Sequence, residues 1–270
     1  MVPSGATNRR SLLLVLIFAA VLNLFLPIKH GEAMTAEEKG FAIAERSEKS
    51  HDGYIGDYAQ MEMVLIDAYG QQTVRKVILK SMETKDDGDK TIIKFIWPKA
   101  VNDTKLLIWG HKHKNDDQWL FLPSSTRVKR ISSRKKTGSF MGSEFSFEDL
   151  EGHELEKFTY RFIQEDTYND RPVWIIERYP VNKGSNYSKH KVWMDQEYLS
   201  AVKVDYFDRK GDLLKTATYE NYRQYHGFWR MDTINMLNHQ TSKMSRIEWK
   251  NLKLKVAYNP EDFKPTSLGN

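Results

Sequence analysis

The feature that most constrains the fold is a period-two alternation of apolar and polar residues along most of the chain. In residues 58–66, Met61, Met63 and Leu65 fall on one face of an extended chain, and the residues between them fall on the other. Turn-forming runs such as Asp86-Asp87-Gly88-Asp89 separate the alternating stretches. About a dozen strands joined by such turns predict antiparallel connections in a sandwich or barrel-like sheet.

The predicted strands are spread over the chain without a composition break, so residues 34–270 are expected to form a single domain. The strands are predicted at residues 58–66, 74–82, 91–97, 106–109, 118–122, 127–131, 155–164, 173–179, 189–194, 199–207, 214–222, 228–237 and 244–256. A capping-box pattern of Thr35 with Glu38 predicts one helix from Thr35 to about Lys49. The stretch 139–152 is predicted as a loop with a short helix from about Ser146 to Glu151, and residues 260–270 as a short polar tail.

The first residues have the order of a secretory signal. Arg9 and Arg10 precede an apolar stretch over residues 12–26, and Gly31-Glu32-Ala33 supplies the small residues that a signal peptidase recognises. We therefore expect cleavage after Ala33 and a periplasmic protein. The alternatives are an uncleaved membrane anchor and a twin-arginine signal.

Several chemistries lack support in the sequence. There is no cysteine, which excludes thiolate metal sites and cysteine nucleophiles. The whole-chain net charge of +5 falls to about +3 after the expected removal of residues 1–33, and a charge of that size does not by itself imply nucleic acid. No Gly-x-Ser-x-Gly elbow, His-Glu-x-x-His or phosphate loop is present, so we expect a binding protein without a cofactor rather than an enzyme.

A metal site is one interpretation of His111 and His113, which share a face of an extended chain near Asp116 and Asp117. The other interpretation is a polar hairpin between two strands. Because the sequence identifies no third ligand, we predict no metal.

A dense run of basic residues is the first candidate binding feature, consisting of Arg127, Lys129, Arg130, Arg134, Lys135 and Lys136. Like charges at this density repel each other, so they require either a wet surface or an acidic partner. The run is therefore either a solvated hairpin or a docking patch for an anionic lipid headgroup or an acidic protein face.

Aromatic residues and methionines at strand positions are the second candidate feature. Most are expected to form ordinary core, but a large curved sheet leaves a cavity on its concave face unless other elements fill it. Such a cavity suits an acyl chain. The candidate lining residues are Met61, Met63, Leu65, Phe95, Trp97, Trp109, Trp119, Phe121, Phe158 and Tyr160.

Two consecutive runs resemble a known family. Residues 119–131, WLFLPSSTRVKRI, followed by residues 138–150, GSFMGSEFSFEDL, are similar to the outer-membrane lipoprotein-sorting protein family, the LolA-like group. The resemblance spans nearly the whole chain after residue 33. It implies an unclosed, strongly curved antiparallel β-barrel of about 11–13 strands, in which the N-terminal helix and the short second helix act as a lid. It also points to a lid or loop motif at Phe140, Met141, Phe145 and Phe147.

The resemblance implies a periplasmic carrier that holds a lipoprotein acyl chain or another lipid in a hydrophobic half-barrel cavity. Related members are linked to inner-membrane exporters of the resistance-nodulation-division type, so a transient contact with such a transporter is expected. A second hypothesis is an interaction module that docks to such an exporter through the basic run without carrying cargo. A third hypothesis, an envelope hydrolase, has no sequence motif behind it.

Overall fold

The computed structural model describes residues 33–269, in which one α-helix precedes a series of antiparallel strands. The helix is α1 (Ala36–Lys49). The strands are β1 (Gly56–Ile66), β2 (Gln72–Met82), β3 (Lys90–Trp97), β4 (Lys105–Trp109), β5 (Asp117–Leu122), β6 (Arg127–Arg130), β7 (Phe158–Tyr168), β8 (Arg171–Pro180), β9 (Tyr187–Asp195), β10 (Ala201–Asp208), β11 (Leu213–Glu220), β12 (Arg223–Tyr225), β13 (Phe228–Arg230), β14 (Thr233–Asn238) and β15 (Met244–Leu254). Short 3-10 helices lie at Pro123–Ser125, Ser133–Lys135, Glu148–Leu150, Leu155–Lys157, Pro260–Phe263 and Pro265–Gly269.

A single 13-stranded sheet dominates the structure, in the order β6-β5-β4-β3-β2-β1-β15-β14-β11-β10-β9-β8-β7. Every neighbouring pair is antiparallel, and β12 pairs only with β13 in a separate hairpin. The edge strands β6 and β7 do not pair with each other, so the sheet curves without closing. The predicted mainly β, unclosed antiparallel half-barrel with one helix is thus confirmed.

The open sheet forces one connection to run from edge to edge. The chain leaves the sheet at β6 and re-enters it at the opposite edge, β7, so residues 131–157 must pass across the concave side. We call residues 131–157 the crossing segment. Phe140 and Phe145 of this segment are 0% and 4% exposed and belong to the main hydrophobic core. The crossing segment therefore supplies part of the core that a closed barrel would fill from its own strands.

Helix α1 begins as the sequence predicts. The Thr35 hydroxyl accepts a hydrogen bond from the Glu38 backbone N–H at 3.1 Å, and the Glu38 carboxylate accepts one from the Thr35 N–H at 2.8 Å. The helix covers the concave face of β7 and β8, where Phe41 packs edge-to-face on Tyr160. Gly40 permits this close approach, because a Cβ there would lie 2.7 Å from the backbone of Arg161 and Phe162.

The period-two pattern builds two cores on the two faces of the sheet. The concave face carries the main core, which includes Met61 and Met63 of β1 and Ile176 of β8. The convex face of β4 and β5 carries a smaller core, in which Leu107 packs with Phe121 under the C-terminal residues.

The C-terminal residues are not the polar tail that the sequence predicted. Phe263 and Leu268 are 0% and 1% exposed, and Trp109 donates an indole hydrogen bond to the Phe263 carbonyl at 2.7 Å. The prediction was wrong because two apolar residues separated by polar ones are sufficient to anchor two successive 3-10 turns on an apolar sheet face.

Two predicted elements are shorter than expected. The helix predicted from Ser146 to Glu151 is a single 3-10 turn, Glu148–Leu150, whose N-cap is Phe147 and not the predicted Ser146. The Ser146 hydroxyl still accepts a hydrogen bond from the Asp149 N–H at 3.2 Å. The strand predicted over residues 228–237 is interrupted between β13 and β14, because the chain switches there from the β12–β13 hairpin to the main sheet.

Two sequence predictions remain predictions. The export signal falls on residues 1–33, of which all but Ala33 lie outside the described residues. The assignment of residues 34–270 to one domain is likewise untested. Within residues 33–269 the structure has no helix with the length and hydrophobicity needed to span a membrane.

Candidate ligand-binding cavity

A cavity of ≈ 280 Å³ opens between the concave face of β7–β10 and the crossing segment. Its walls come from three parts of the chain: the loop between β4 and β5, the C-terminal half of the crossing segment, and the strands and turns from β7 to β10. The lining residues are Lys112, His113, Lys114, Asn115, Glu148, Asp149, Glu151, Gly152, His153, Glu156, Lys157, Phe158, Pro180, Val181, Asn182, Ser185, Tyr187, His190 and Tyr206.

Aromatic rings form the sheet-side wall of the cavity. The His190 ring lies 4.9 Å from the Tyr187 ring and 4.7 Å from the Tyr206 ring, measured between centroids. Phe158 adds a ring 5.7 Å from His190. Phe158, His190 and Tyr206 project from β7, β9 and β10 into the concave side because each lies at the inward parity of its strand. Tyr187 is three residues from His190 and reaches the same side next to a register shift between β9 and β10. The wall is therefore built of aromatic rings that pack at angles of 54–64° to one another.

Buried ion pairs and hydrogen bonds fix the crossing segment against this wall. Lys215 of β11 pairs with Asp149, and both side chains are almost fully buried. The Tyr187 hydroxyl donates to the other Asp149 oxygen at 2.7 Å. Burial and the Asp149 charge raise the pKa of Tyr187 well above its ordinary value, so the phenol stays a neutral donor. Glu148 is held by the Ser185 hydroxyl and by the Asn186 N–H at 3.0 Å.

The opposite rim contains a second set of buried charges. Lys157 donates to Asp116 at 2.6 Å, and the Asp116 side chain is 0% exposed. Lys136 pairs with Glu151, and burial raises the pKa of Glu151 to about 7 despite that neighbouring cation. The Lys157–Asp116 pair ties the crossing segment to the loop between β4 and β5, and Lys136 also donates to the Asp116 carbonyl at 2.5 Å. The Lys136–Glu151 pair joins two parts of the crossing segment itself.

Arg178 lies beside the cavity and forms a polar pair with His190, which lines it. The Arg178 Nε–H donates to His190 Nδ1 at 2.9 Å, and both residues are at least nine-tenths buried. The guanidinium carbon of Arg178 lies 4.8 Å from the centroid of the Phe158 ring. The site thus combines an aromatic wall, a buried cation and a buried imidazole.

Comparisons with known proteins match this architecture. A family model described as an uncharacterized protein matches residues 87–270, and no curated protein matches the chain. The crystal structure of a Vibrio parahaemolyticus domain assigned to outer membrane lipoprotein sorting is 40% identical, with a TM-score of 0.85; the alignment covers 87% of this chain and 100% of that one. This chain belongs to the outer-membrane lipoprotein-sorting protein family.

Two further solved structures share the fold. A DUF1329 family protein from Desulfovibrio piger is 26% identical over 87% of this chain and 100% of its own, with a TM-score of 0.83. A LolA superfamily protein from Nitrosomonas europaea is 17% identical over 86% of this chain and 98% of its own, with a TM-score of 0.67. At that identity the second likeness concerns the fold alone.

The ten residues predicted to line a cavity in this lipoprotein-sorting family member lie in four different places in the structure. Phe158 lines the cavity. Five residues belong to the main core or pack against it, namely Met61, Met63, Leu65, Phe95 and Tyr160. Three lie on the convex face with the C-terminal residues, namely Trp109, Trp119 and Phe121. Trp97 is 48% exposed near the end of β3. Their role in binding a ligand stays a prediction.

The predicted lid or loop residues lie on the concave side. Phe140 packs between Phe95 and Phe147, with ring centroids 5.7 Å and 5.4 Å away. Met141 and Phe147 are partly buried against the same core. The motif of this family member therefore anchors the crossing segment within the half-barrel.

The predicted basic patch is divided by the fold. Arg127, Lys129 and Arg130 are exposed on the edge strand β6, and Arg130 pairs with Asp117. Arg134 and Lys135 are exposed in the following 3-10 turn. Lys136 is only 6% exposed, because it pairs with Glu151 at the rim of the cavity.

The two histidines considered for a metal do not share a site. His111 contacts Asp87 at 2.5 Å through Nδ1 and Asp117 at 3.2 Å through Nε2, whereas His113 lines the cavity. In residues 33–269 no three His, Cys, Asp or Glu side chains are grouped so as to hold a metal ion.

Sequence reasoning missed the polar residues at and beside the cavity, above all His190, which lines it, and Arg178, which contacts its wall. A signal was present in the pattern. Arg178 has the same strand parity as Trp174 and Ile176, and His190 has the same parity as Val192, so each is a polar residue on an otherwise apolar face. Buried polar residues of this kind are more informative than further apolar ones.

Proposed function

We propose that this protein is a periplasmic carrier that holds an acyl chain, of a lipoprotein or of another lipid, in the cavity of its half-barrel. The observation that carries the proposal is the aromatic-walled cavity on the concave face of an unclosed sheet, in a member of the lipoprotein-sorting family. The periplasmic location and the carrier role rest on the relationship to that family.

The size and lining of the cavity are consistent with partial burial of a chain. Ligand sites usually enclose about 300–1,000 Å³, so ≈ 280 Å³ accommodates a segment of an acyl chain rather than a whole lipid. Each methylene removed from water contributes about 0.8 kcal/mol. Burial of several methylenes therefore gives an affinity high enough to hold the chain and low enough to release it, as a carrier requires.

Narrowing the mouth of the cavity should weaken binding. Val181 lines the cavity and is 59% exposed, so Val181→Trp can be introduced without disturbing the core. Loss of contact with two or three methylenes costs about 2 kcal/mol, which corresponds to a roughly 30-fold higher Kd. The measurement is titration of delipidated protein with a fluorescent fatty acid such as cis-parinaric acid.

The matched control is Val128→Trp, since Val128 is also exposed but lies on β6, away from the cavity. The control should bind as the wild type does. The proposed cavity function is wrong if the wild type binds no acyl probe. It is also wrong if Val181→Trp binds the probe as tightly as the control Val128→Trp does.

A second candidate function is docking through the edge strand β6. All four residues of β6 are exposed, three of them are basic, and the strand has unpaired backbone groups along one side. An exposed edge strand accepts a further strand from a partner, and the charge selects an acidic one. The partner proposed is an inner-membrane transporter of the resistance-nodulation-division type.

Charge reversal tests this second function. The double variant Arg127→Glu, Lys129→Glu is expected to abolish co-purification with such a transporter and to leave acyl-probe binding unchanged. Arg161→Glu, an exposed arginine on the other edge strand, is the matched control. Transporter capture that is unchanged by the double reversal would remove β6 as the docking surface.

A further inference from the structure

Arg178 is a buried cation that lacks an acidic partner. It is 9% exposed on the concave face of β8, and within residues 33–269 no carboxylate lies within ion-pair distance. Its only hydrogen bond in that range is the one that Nε–H donates to His190. The remaining guanidinium N–H groups have no acceptor and are not sealed from solvent. A buried charge without a counter-ion is costly, so proteins rarely keep one without a use.

His190 has an unused donor at the same place. It is 3% exposed, and its Nε2 is buried without a hydrogen-bond partner. Burial and the charge of Arg178 lower the pKa of His190 well below its ordinary value, so the ring is neutral at pH 7. Since Nδ1 accepts the Arg178 hydrogen bond, the single ring proton resides on Nε2. His190 therefore has one buried N–H donor without an acceptor in residues 33–269, on a ring that lines the cavity.

The carboxylates nearby do not neutralise this pair. Asp149 is occupied by Lys215 and Tyr187, Glu151 by Lys136, and Glu148 by Ser185. Glu156 lines the cavity as an exposed residue at the rim. Within residues 33–269, Arg178 and His190 thus carry donors beside the cavity that no carboxylate pairs with.

We propose that Arg178 and His190 form an oxyanion subsite that binds the negatively charged head of an amphiphile whose apolar chain lies against the aromatic wall. The inference rests on the proposed carrier function and specifies its ligand class. A guanidinium group presents parallel N–H donors that match the two oxygens of a carboxylate or a phosphate. Phe158 and His190, which line the cavity, both contact Arg178, so a head seated between them lies beside the guanidinium group.

The first test needs only the wild-type protein. Delipidated protein is titrated calorimetrically with laurate, dodecyl phosphate and methyl laurate, which carry a carboxylate, a phosphate and an uncharged ester on chains of similar length. At least one of the two anionic ligands is expected to bind about tenfold more tightly than methyl laurate. Whichever of laurate and dodecyl phosphate binds more tightly identifies the head group as a carboxylate or a phosphate. Equal binding of all three ligands overturns the proposal. Sodium phosphate binding as tightly as dodecyl phosphate overturns the role of the chain.

The second test uses variants of the subsite. Arg178→Met should reduce the preference for the anion to within about twofold while methyl laurate binding stays unchanged, because only the head loses its partner. Arg178→Lys should restore part of the preference, and His190→Phe should lower anion affinity by about fivefold while the cation remains. Arg161→Gln, an exposed arginine on the neighbouring strand, should behave as the wild type.

The outcomes separate this inference from the carrier function. If methyl laurate binds but the anions gain nothing, the oxyanion subsite is wrong and the carrier function stands. If no chain-bearing ligand binds, the carrier function is wrong and the subsite with it. If Arg178→Met does not fold, the wild-type preference and its roughly fivefold reduction in His190→Phe decide the question.

Discussion

Replacement of Phe140 by alanine is expected to lower the free energy of unfolding by about 3–5 kcal/mol. The Phe140 side chain is fully buried and packs between the rings of Phe95 and Phe147. The alanine variant removes this ring from the centre of the concave core and leaves a cavity that the rigid sheet cannot close. The measurement is urea unfolding monitored by tryptophan fluorescence.

Tyr69→Ala provides the control for this loss of an aromatic ring, because Tyr69 is 92% exposed in the turn between β1 and β2. It should change stability by no more than about 0.5 kcal/mol. If Phe140→Ala costs less than about 1 kcal/mol, the crossing segment is a loosely held cover and not part of the core.

Lys215→Met is expected to cost a similar amount, about 3–5 kcal/mol, because it leaves the Asp149 carboxylate buried without its cation. The two side chains are 5% and 2% exposed. Methionine preserves most of the apolar stem of lysine, so the loss comes chiefly from the uncompensated charge. The effect is measured by the same urea titration at neutral pH.

A double-mutant cycle isolates this ion pair. Asp149→Asn removes the stranded charge, so the double variant Lys215→Met, Asp149→Asn should be more stable than the sum of the single effects predicts, by about 1–3 kcal/mol. Strictly additive effects would mean that the pair contributes nothing specific. In that case the packing of Phe140 and the remaining polar contacts hold the crossing segment in place.

The Phe140 and Lys215 predictions both concern the crossing segment, where the structure adds most to what the sequence shows. The pattern around Phe140, Met141, Phe145 and Phe147 identified the family and indicated a break in the strand rhythm. It did not reveal that the break is the edge-to-edge connection of an open sheet. Only the strand order, with β6 and β7 at opposite edges, makes a passage across the concave side necessary.

The strands themselves were largely predictable. Turns with Gly, Asp and Pro bound each alternating stretch, and local backbone preference decides such boundaries without long-range information. The capping box at Thr35 is local for the same reason, and the helix begins where it predicts. The interruption near residue 231 was not predictable, because it depends on which neighbour each half of the stretch pairs with.

The candidate cavity was much less predictable than the strands. Period two assigns residues to two faces but does not say which face is concave. Trp109 and Trp119, chosen as lining residues, lie on the convex face, where the C-terminal residues cover them. Arg178 and His190 were not predicted: the parity of their apolar neighbours marks them as polar residues on an apolar face, but which strands border the cavity depends on the order of the sheet.

The sequence by itself determined the mainly β architecture, the N-terminal helix and the family, because each depends on short-range patterns or on a contiguous motif. The tertiary structure alone decided which residues share the cavity. Its walls come from β7, β9, β10, the crossing segment and a distant loop, and these meet only through the curvature and order of the sheet. It also left Arg178 buried beside His190 without an acid, a property that arises from three-dimensional neighbours and that no local pattern encodes.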